Sequence, residues 1–274
     1  LKYAYLYAKT VTLGKTHWPE TNRVMLRNRR IGCSMSGIAQ FLADRGMSTL
    51  IDWMDTGYDH IQRLDAEYSD WFAIPKSIKT TSIKPSGTVS LLAGATPGIH
   101  FPESRYYIRR MRLGKISNLV PALEKAGYKV EPAYGAEKDT VVVEVPVDVG
   151  EGVRTLPDVS IWEQLALSAV AQRYWADNQV SSTVTFDPES EGDQIANALD
   201  VFQYQLKGIS FLPRLDAGAY PQMPYEAIDK ESYDSMMAGL GKLTFGRIKG
   251  EEIIAERFCD NDVCEIDFIS EVVE

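Results

Sequence analysis

Apolar residues recur every three or four positions at the start of the chain, where Tyr3, Leu6, Tyr7 and Val11 would line one helix face. Because one helical turn takes 3.6 residues, this spacing predicts a helix over about residues 1–14. Similar patterns predict further helices over residues 36–42, 48–66, 89–93, 120–127, 161–177 and 193–206.

A second pattern, of alternating or β-branched residues, predicts strands. Val180, Ser182, Val184 and Phe186 share one face of a strand over residues 179–186. Further strands are predicted over residues 79–84, 138–147 and 208–212, and a loop or short strand over 31–37. Helices that alternate with strands indicate an α/β fold with parallel strand pairing.

The composition of the chain changes near residue 213. We predict one domain over residues 1–212, with a β-containing excursion around residues 128–150. The remaining residues, 213–274, are richer in Gly, Pro and charge, which predicts a peripheral region that ends in a mobile acidic tail.

Charge and hydropathy exclude several classes of protein. The 274 residues include 29 Lys and Arg against 38 Asp and Glu, and a net charge of −9 argues against a general nucleic-acid binder. Every apolar run is far shorter than the about 20 residues that span a bilayer, so no membrane partner is expected. The first residues carry no export signal, which predicts a cytoplasmic location. The chain opens on Leu1 inside an apolar, helix-like run, which predicts a segment cut from a larger fold.

The loop between the predicted strand 79–84 and helix 89–93 has the composition of a phosphate-binding site. Gly87 removes a side chain from the path of a phosphate, hydroxyls can donate hydrogen bonds, and a following helix presents free N–H groups. The candidate residues are Pro85, Ser86, Gly87, Thr88, Val89 and Ser90. An ordinary turn in which Ser86 caps the helix explains the pattern equally well. It is not a Walker A loop, because the Gly-Lys pair is absent.

Two cysteines near the end of the chain, Cys259 and Cys264, are the second candidate. Such a pair in a polar segment could close a small disulfide ring and exchange with another disulfide. A metal site, which would need two more nearby ligands, and two incidental thiols are the alternatives. Asp260, Asp262 and Glu265 should raise the pKa of the thiols, and a basic docking partner would relieve that effect.

The other chemistry-bearing residues have weaker patterns. Cys33 is expected to be a small packed residue, and His17, His60 and His100 lack metal-ligand spacing, so no metal site is predicted. His100 is the one histidine with a case for lining the site, and placement in the core or on the surface is the alternative. A basic cluster could neutralise phosphates or form a solvated face; its members are Arg105, Arg109, Arg110, Arg112 and Lys115.

Taken together, an ordered series of motifs resembles the large subunit of the ribonucleotide reductases. More narrowly, it resembles the C-terminal half of the monomer-type, adenosylcobalamin-dependent ribonucleoside-triphosphate reductases. The motifs lie at residues 29–37 (RRIGCSMSG), 83–94 (IKPSGTVSLLAG), 96–100 (TPGIH), 107–112 (YIRRMR), 177–181 (DNQVS) and the late Cys-x4-Cys. The resemblance covers nearly the whole chain and makes phosphate binding the favoured interpretation of the loop.

The resemblance implies the second half of a ten-stranded α/β barrel, in which a cysteine thiyl radical initiates loss of the ribose 2′ hydroxyl. It implies that residues 85–90 hold the phosphates of a ribonucleoside triphosphate. It also implies that Cys259 and Cys264 re-reduce the active-site disulfide and are then reduced by thioredoxin. Adenosylcobalamin would supply the radical, and the N-terminal half of the same enzyme would be a further partner.

One departure from the family is expected to matter. The Asn-x-Cys-x-Glu loop that bears the radical cysteine has no match, and Cys33 does not replace it because its neighbours differ. The chain is therefore interpreted as a fragment that is inactive alone. Two alternatives are a non-catalytic nucleotide- or sugar-phosphate-binding α/β domain, and a barrel half that does not fold alone because its strand edges and apolar face are exposed.

Overall fold

The computed structural model describes residues 1–87, 89–214 and 221–243. Its helices are α1 (Lys2–Val11), α2 (Pro19–Asn28), α3 (Ile38–Phe72), α4 (Val89–Leu92), α5 (Leu119–Lys125), α6 (Ile161–Tyr174), α7 (Pro188–Glu191), α8 (Ile195–Phe202) and α9 (Lys230–Ala238). Its strands are β1 (Tyr106–Gly114), β2 (Val130–Pro132), β3 (Thr140–Asp148), β4 (Thr183–Phe186), β5 (Ser210–Pro213) and β6 (Tyr225–Ala227). Short 3-10 helices cover Leu156–Asp158 and Gly192–Gln194.

Contacts divide the chain into two units. Unit 1 consists of Leu1–Pro102 and Val149–Arg214, and unit 2 consists of Glu103–Asp148 and Leu215–Glu274. The predicted boundary between residues 212 and 213 lies close to one junction of these units. The predicted roles of the two parts, catalytic domain and redox tail, stay predictions.

Parallel strand segments form the centre of unit 1. Cys33 pairs with Thr81 in a parallel bridge, Ile83 pairs in the same way with Val180, and β4 pairs in parallel with β5. These pairings give the spatial order 33, 81–83, 180–186 and 210–213. The predicted α/β architecture with parallel pairing is therefore confirmed for unit 1.

Helices α1, α3 and α6 pack against these segments. Their shared core contains Ile31 and Ile83 from the strand segments, Met54 from α3 and Trp175 after α6. Helix α3 is interrupted at Gly46, whose backbone angles (φ 75, ψ 172) are not helical. The prediction of two helices over 36–42 and 48–66 was right about this interruption, and the second helix continues to Phe72.

The residues that follow α6 join the starts of the parallel segments. The Asn178 side-chain amide donates to the carbonyl oxygens of Ile31 (2.8 Å) and Thr81 (2.7 Å). The Asp177 carboxylate accepts hydrogen bonds from the backbone N–H and the hydroxyl of Thr80. Asp177 and Asn178 therefore hold three chain segments in register.

Unit 2 contains an antiparallel sheet in the order β2-β3-β1-β6. The expectation of parallel pairing was wrong here, because β1 and β3 belong to one excursion of the chain whose ends meet, Tyr106 pairing with Asp148. Three members of the basic cluster, Arg109, Arg110 and Arg112, lie on strand β1. Strand β6 and helix α9 lie in the region predicted to be peripheral.

Helix α2 is not among the helices that the sequence patterns predicted.

No helix in the described parts of the chain combines the length and the apolar composition that crossing a membrane requires.

Candidate functional site

The candidate phosphate loop begins directly after the parallel segment that contains Thr81 and Ile83. It therefore lies at the carboxyl edge of the parallel strands, where α/β proteins bind their ligands. Pro85, Ser86 and Gly87 are partly buried, while Val89 is 69% exposed. Thr88 lies outside the described residues.

Hydrogen bonds within the loop fix its shape. Ser86 adopts a left-handed backbone conformation (φ 51). Its carbonyl oxygen accepts hydrogen bonds from both the backbone N–H and the hydroxyl of Ser90. Since Ser90 is buried and its hydroxyl proton is committed to Ser86, its side chain shapes the loop. A direct contact of Ser90 with phosphate stays a prediction.

The chain from Lys84 to Gly98, which we call the loop region, has ends that contact each other at Gly98. A Cβ atom at this position would lie well inside van der Waals contact distance of the Lys84 carbonyl oxygen, and φ is +50. Only glycine satisfies both conditions without strain. Gly98 is thus the point where the returning chain packs against the start of the loop at Lys84.

Three polar side chains from residues 34–40 hold these ends, although no sequence pattern predicts this role for them. The Ser34 hydroxyl accepts from the Lys84 N–H (2.9 Å), and the Ser36 hydroxyl accepts from the Gly98 N–H (3.2 Å). Gln40, in the first turn of α3, accepts from the Thr96 N–H (2.8 Å). The motif at residues 29–37 was recognisable, but the partners of its serines were not visible in the sequence.

His100 is engaged through both ring nitrogens. Its Nε2 accepts from the Thr183 N–H (3.1 Å), so the proton lies on Nδ1, 3.3 Å from the Pro97 carbonyl oxygen. Burial lowers the pKa of the imidazole, which favours this neutral form. His100 thus joins the end of the loop region to β4, and its predicted place in the lining of the site stays a prediction.

Cys33 lies in the parallel bridge to Thr81 and packs against the core of unit 1. Burial raises the pKa of its thiol, so the unreactive protonated form is favoured at neutral pH. This environment agrees with a packed residue.

A pocket of about 280 Å³ lies beside the start of the loop. It is lined by Arg30, Ile31, Gly32, Ser82, Lys84 and Asn178. Arg30 and Lys84 give this pocket a positive charge in a chain whose net charge is −9. A polyanionic group would be attracted to it.

Two candidates remain, the late cysteine pair and the basic cluster. Cys259 and Cys264 lie outside the described residues. The basic cluster belongs to unit 2, where Arg110 is paired with Glu144 and Glu226, and Arg109 lies over the Tyr225 ring at 4.5 Å. Arg109 and Arg112 are buried, so the alternative of a solvated face is wrong for these two side chains. Within the described residues, no group of three His, Cys, Asp or Glu side chains could hold a metal ion.

Curated relatives match nearly all of the chain. It is 57% identical over 270 residues to the probable adenosylcobalamin-dependent ribonucleoside-triphosphate reductase of Dictyostelium discoideum, and 55% identical over 266 residues to the enzyme of Euglena gracilis. These matches cover 97% and 95% of the chain but 36% of each relative. No protein-family model matches the chain.

Solved structures give the same answer for the fold. A B-12-dependent (class II) ribonucleotide reductase matches with a TM-score of 0.76 and 35% identity, over 88% of this chain and 38% of that one. The alpha subunit of the Actinobacillus ureae class Id reductase, at 15% identity and a TM-score of 0.53, shows likeness of fold alone. The predicted fold class is thus confirmed as α/β of the ribonucleotide reductase type, although the described residues form no closed barrel. The chain therefore belongs, as a partial sequence, to the family of adenosylcobalamin-dependent ribonucleoside-triphosphate reductases.

Proposed function

We propose that the protein to which this chain belongs converts ribonucleoside triphosphates to 2′-deoxyribonucleoside triphosphates, and that residues 85–90 hold the substrate phosphates. The main support is the position of this loop, at the carboxyl edge of the parallel segments and beside a pocket that contains Arg30 and Lys84. The names of the relatives support the substrate class.

In this proposal the described residues bind and orient the substrate. Arg30 and Lys84 neutralise phosphate charge, while Ser86 and the backbone N–H groups of the loop donate hydrogen bonds to phosphate oxygens. His100 and Gly98 keep the loop region in place through contacts that do not involve the substrate. Holding the ribose in one orientation is what the radical reaction requires of the protein.

Adenosylcobalamin, which the names of the relatives state as their cofactor, would supply the radical initiator when bound. Both ring nitrogens of His100 are engaged in hydrogen bonds, so neither is free to ligate its cobalt. We therefore assign no radical step to these residues, and the proposal places that chemistry in the remainder of the enzyme, whose N-terminal half would be a partner of this chain.

Cys259 and Cys264 are proposed as the dithiol that restores the enzyme after each turnover. Two electrons and two protons would pass from this pair to the active-site disulfide, and thioredoxin would then reduce the new disulfide. Substituting both cysteines with serine should abolish thioredoxin-driven turnover in the full-length enzyme. Unchanged turnover would remove the shuttle role. A cytoplasmic location, where thioredoxin keeps thiols reduced, stays part of this proposal.

The test of the loop is Gly87→Val in the full-length enzyme, assayed for deoxynucleotide formation with adenosylcobalamin. The added side chain should displace phosphate from one or two hydrogen bonds worth about 1.5–3 kcal/mol, raising KM about 10-fold or more. Gly192→Val is the matched control, because Gly192 has φ −55 and open space around it. An unchanged KM in Gly87→Val would remove the loop from the site. Absence of turnover by the unsubstituted enzyme would leave a phosphate-binding domain as the alternative.

A further inference from the structure

The loop region from Lys84 to Gly98 has both of its ends fixed to one short segment of chain. At the first end, the Lys84 N–H donates to Ser34. At the second end, the Gly98 N–H donates to Ser36, and backbone N–H groups of Gly37 and Ile38 donate to the carbonyl oxygens of Thr96 (2.8 Å) and Gly98 (3.4 Å). The position of the loop is therefore set by the segment 34–40.

Gln40 makes the largest number of these side-chain contacts. Its Oε1 accepts from the Thr96 N–H (2.8 Å), while its Nε2 donates to the carbonyl oxygens of Gly94 (2.9 Å) and Val149 (3.2 Å). One amide thus joins residues 94–96 of the loop region to the chain at Val149. Both its donor and its acceptor are used, which fixes the orientation of the amide.

These side chains hold the backbone of the loop region and leave its tip open. Ser34, Ser36 and Gln40 bond to Lys84 and to residues 94–98, whereas residues 85–87 and Val89 remain at least partly accessible. A loop with a fixed base and an accessible tip presents its hydrogen-bond donors in one arrangement. Such preorganisation improves binding because less freedom is lost when the ligand is bound.

We propose that Ser34, Ser36 and Gln40, which we call the loop anchor, are positioning residues that set the 85–90 loop for the triphosphate of the substrate. The proposal rests on the proposed function of that loop. The loop anchor acts through the backbone of Lys84 and residues 94–98 and has no role in the chemical step. Loss of an anchor contact should therefore weaken triphosphate binding and leave the chemistry of bound substrate nearly unchanged.

The first test is Gln40→Ala in the full-length reductase, with KM and kcat measured separately. We expect KM for the triphosphate to rise about tenfold, equivalent to about 1.4 kcal/mol, while kcat changes little. Gln62→Ala is the matched control. Gln62 lies on the same helix and donates one hydrogen bond to the Thr80 hydroxyl (2.8 Å), away from the loop. An equal rise in KM for both variants would mean a general structural effect and would overturn the proposal.

A second variant, Gln40→Glu, separates positioning from simple loss of packing. The introduced carboxylate would face the carbonyl oxygens of Gly94 and Val149, so it cannot donate until it is protonated. The ratio of its KM to that of the unsubstituted enzyme should therefore fall as the pH is lowered from about 8 to about 6, because those carbonyl groups favour the protonated carboxyl. A ratio independent of pH, together with a normal KM for Gln40→Ala, would overturn the proposal.

The outcome for the loop anchor is distinguishable from the outcome for the loop itself. If Gly87→Val raises KM and Gln40→Ala does not, the loop holds phosphate and the anchor proposal is wrong. If Gln40→Ala raises KM and Gly87→Val does not, phosphate is held elsewhere in the region and the proposed function of the loop is wrong, and with it the anchor's stated role.

Discussion

Each unit of the molecule contains a buried ion pair, and the two pairs are built differently. In unit 1, Lys9 of α1 and Asp65 of α3 lie 2.6 Å apart with side chains 0% and 4% exposed. In unit 2, Glu144 of β3 is equally buried at 5%, but its partners Arg110 and Lys129 are 12% and 59% exposed. One pair is sealed from water, and the other reaches the surface.

The pair in unit 1 is satisfied entirely by protein groups. Asp65 accepts from Lys9, from the Tyr5 hydroxyl (2.8 Å) and from the Ser77 N–H (2.9 Å). Lys9 also donates to the Ser77 hydroxyl (3.0 Å) and to the Pro75 carbonyl oxygen (3.4 Å). Helices α1 and α3 and the chain at 75–77 are joined by this one cluster.

The cluster in unit 2 has partners that can replace one another. Arg110 contacts both Glu144 and Glu226, and Lys129 contacts both Glu144 (3.1 Å) and Glu131 (3.3 Å). If one exposed member is removed, the others stay paired and water can reach the remaining charge. The comparison teaches that the cost of breaking an ion pair depends on whether water can reach the charge that remains.

The largest effect is expected from Asp65→Ala, which leaves the Lys9 ammonium buried without its partner. The free energy of unfolding of unit 1 should fall by about 3–5 kcal/mol. All five tryptophans of the chain lie in unit 1, at residues 18, 53, 71, 162 and 175, so tryptophan fluorescence during urea unfolding reports on this unit. Asp55→Ala, at an exposed position on the same helix, is the control.

Acid should weaken unit 1 through the same carboxyl. Burial alone would raise the pKa of Asp65, but hydrogen bonds from Lys9, Tyr5 and Ser77 outweigh burial and hold the pKa below its usual value. A lowered folded-state pKa stabilises the protein above the unfolded-state value of about 3.9, and this contribution disappears as the pH falls through the folded-state value. Urea unfolding at decreasing pH should show the loss in the unsubstituted chain and not in Asp65→Ala. Parallel pH dependence in both would contradict the assignment.

The smallest effect is expected from Lys129→Ala in unit 2. Because Lys129 is 59% exposed, its removal should cost about 0.2–1 kcal/mol. High salt should remove most of this difference, since water and ions already screen the pair. Hydrogen exchange of the amides in the β1–β3 ladder measures this loss of stability, with the exposed Lys125→Ala as control. A loss as large as that of Asp65→Ala would show that exposure is not what separates the two clusters.

Patterns within a few residues predicted many of the elements. Helix α6 begins at Ile161 as predicted, and Ser160 caps it, accepting from the Glu163 N–H (3.3 Å). Gly127, predicted near the end of a helix, follows α5 with φ +88. Local spacing succeeded here because the forces that define these ends are themselves local.

Helix α2 begins with a local pattern that favours a helix start. Pro19 stands in the first turn and Glu20 follows it, which are both common at helix starts. Arginines at 23, 27, 29 and 30 interrupt the apolar spacing that predicts the other helices.

Other features depend on partners that are distant in the chain. The surroundings of the arginines of β1 are of this kind: Arg109 lies over the Tyr225 ring, and Arg110 meets Glu144 and Glu226, which are 34 and 116 residues away. The loop anchor has the same character: Gln40 meets Gly94 and Val149 across 54 and 109 residues. The composition of the loop suggested phosphate binding, but its supports became visible only once the chain was folded.

The excursion that carries β1 and β3 has a consequence for the order of folding. Ser82 and Gln179, neighbours in unit 1, are 97 residues apart in the chain. Arg105 and Asp148, at the base of the excursion, form an ion pair across 43 of those residues. An early β1–β3 hairpin therefore roughly halves the loop that must close, which saves about 0.6 kcal/mol of entropy and corresponds to about a threefold faster closure. The excursion would thus speed folding, because it brings the second half of unit 1 close to the first half before their strands pair.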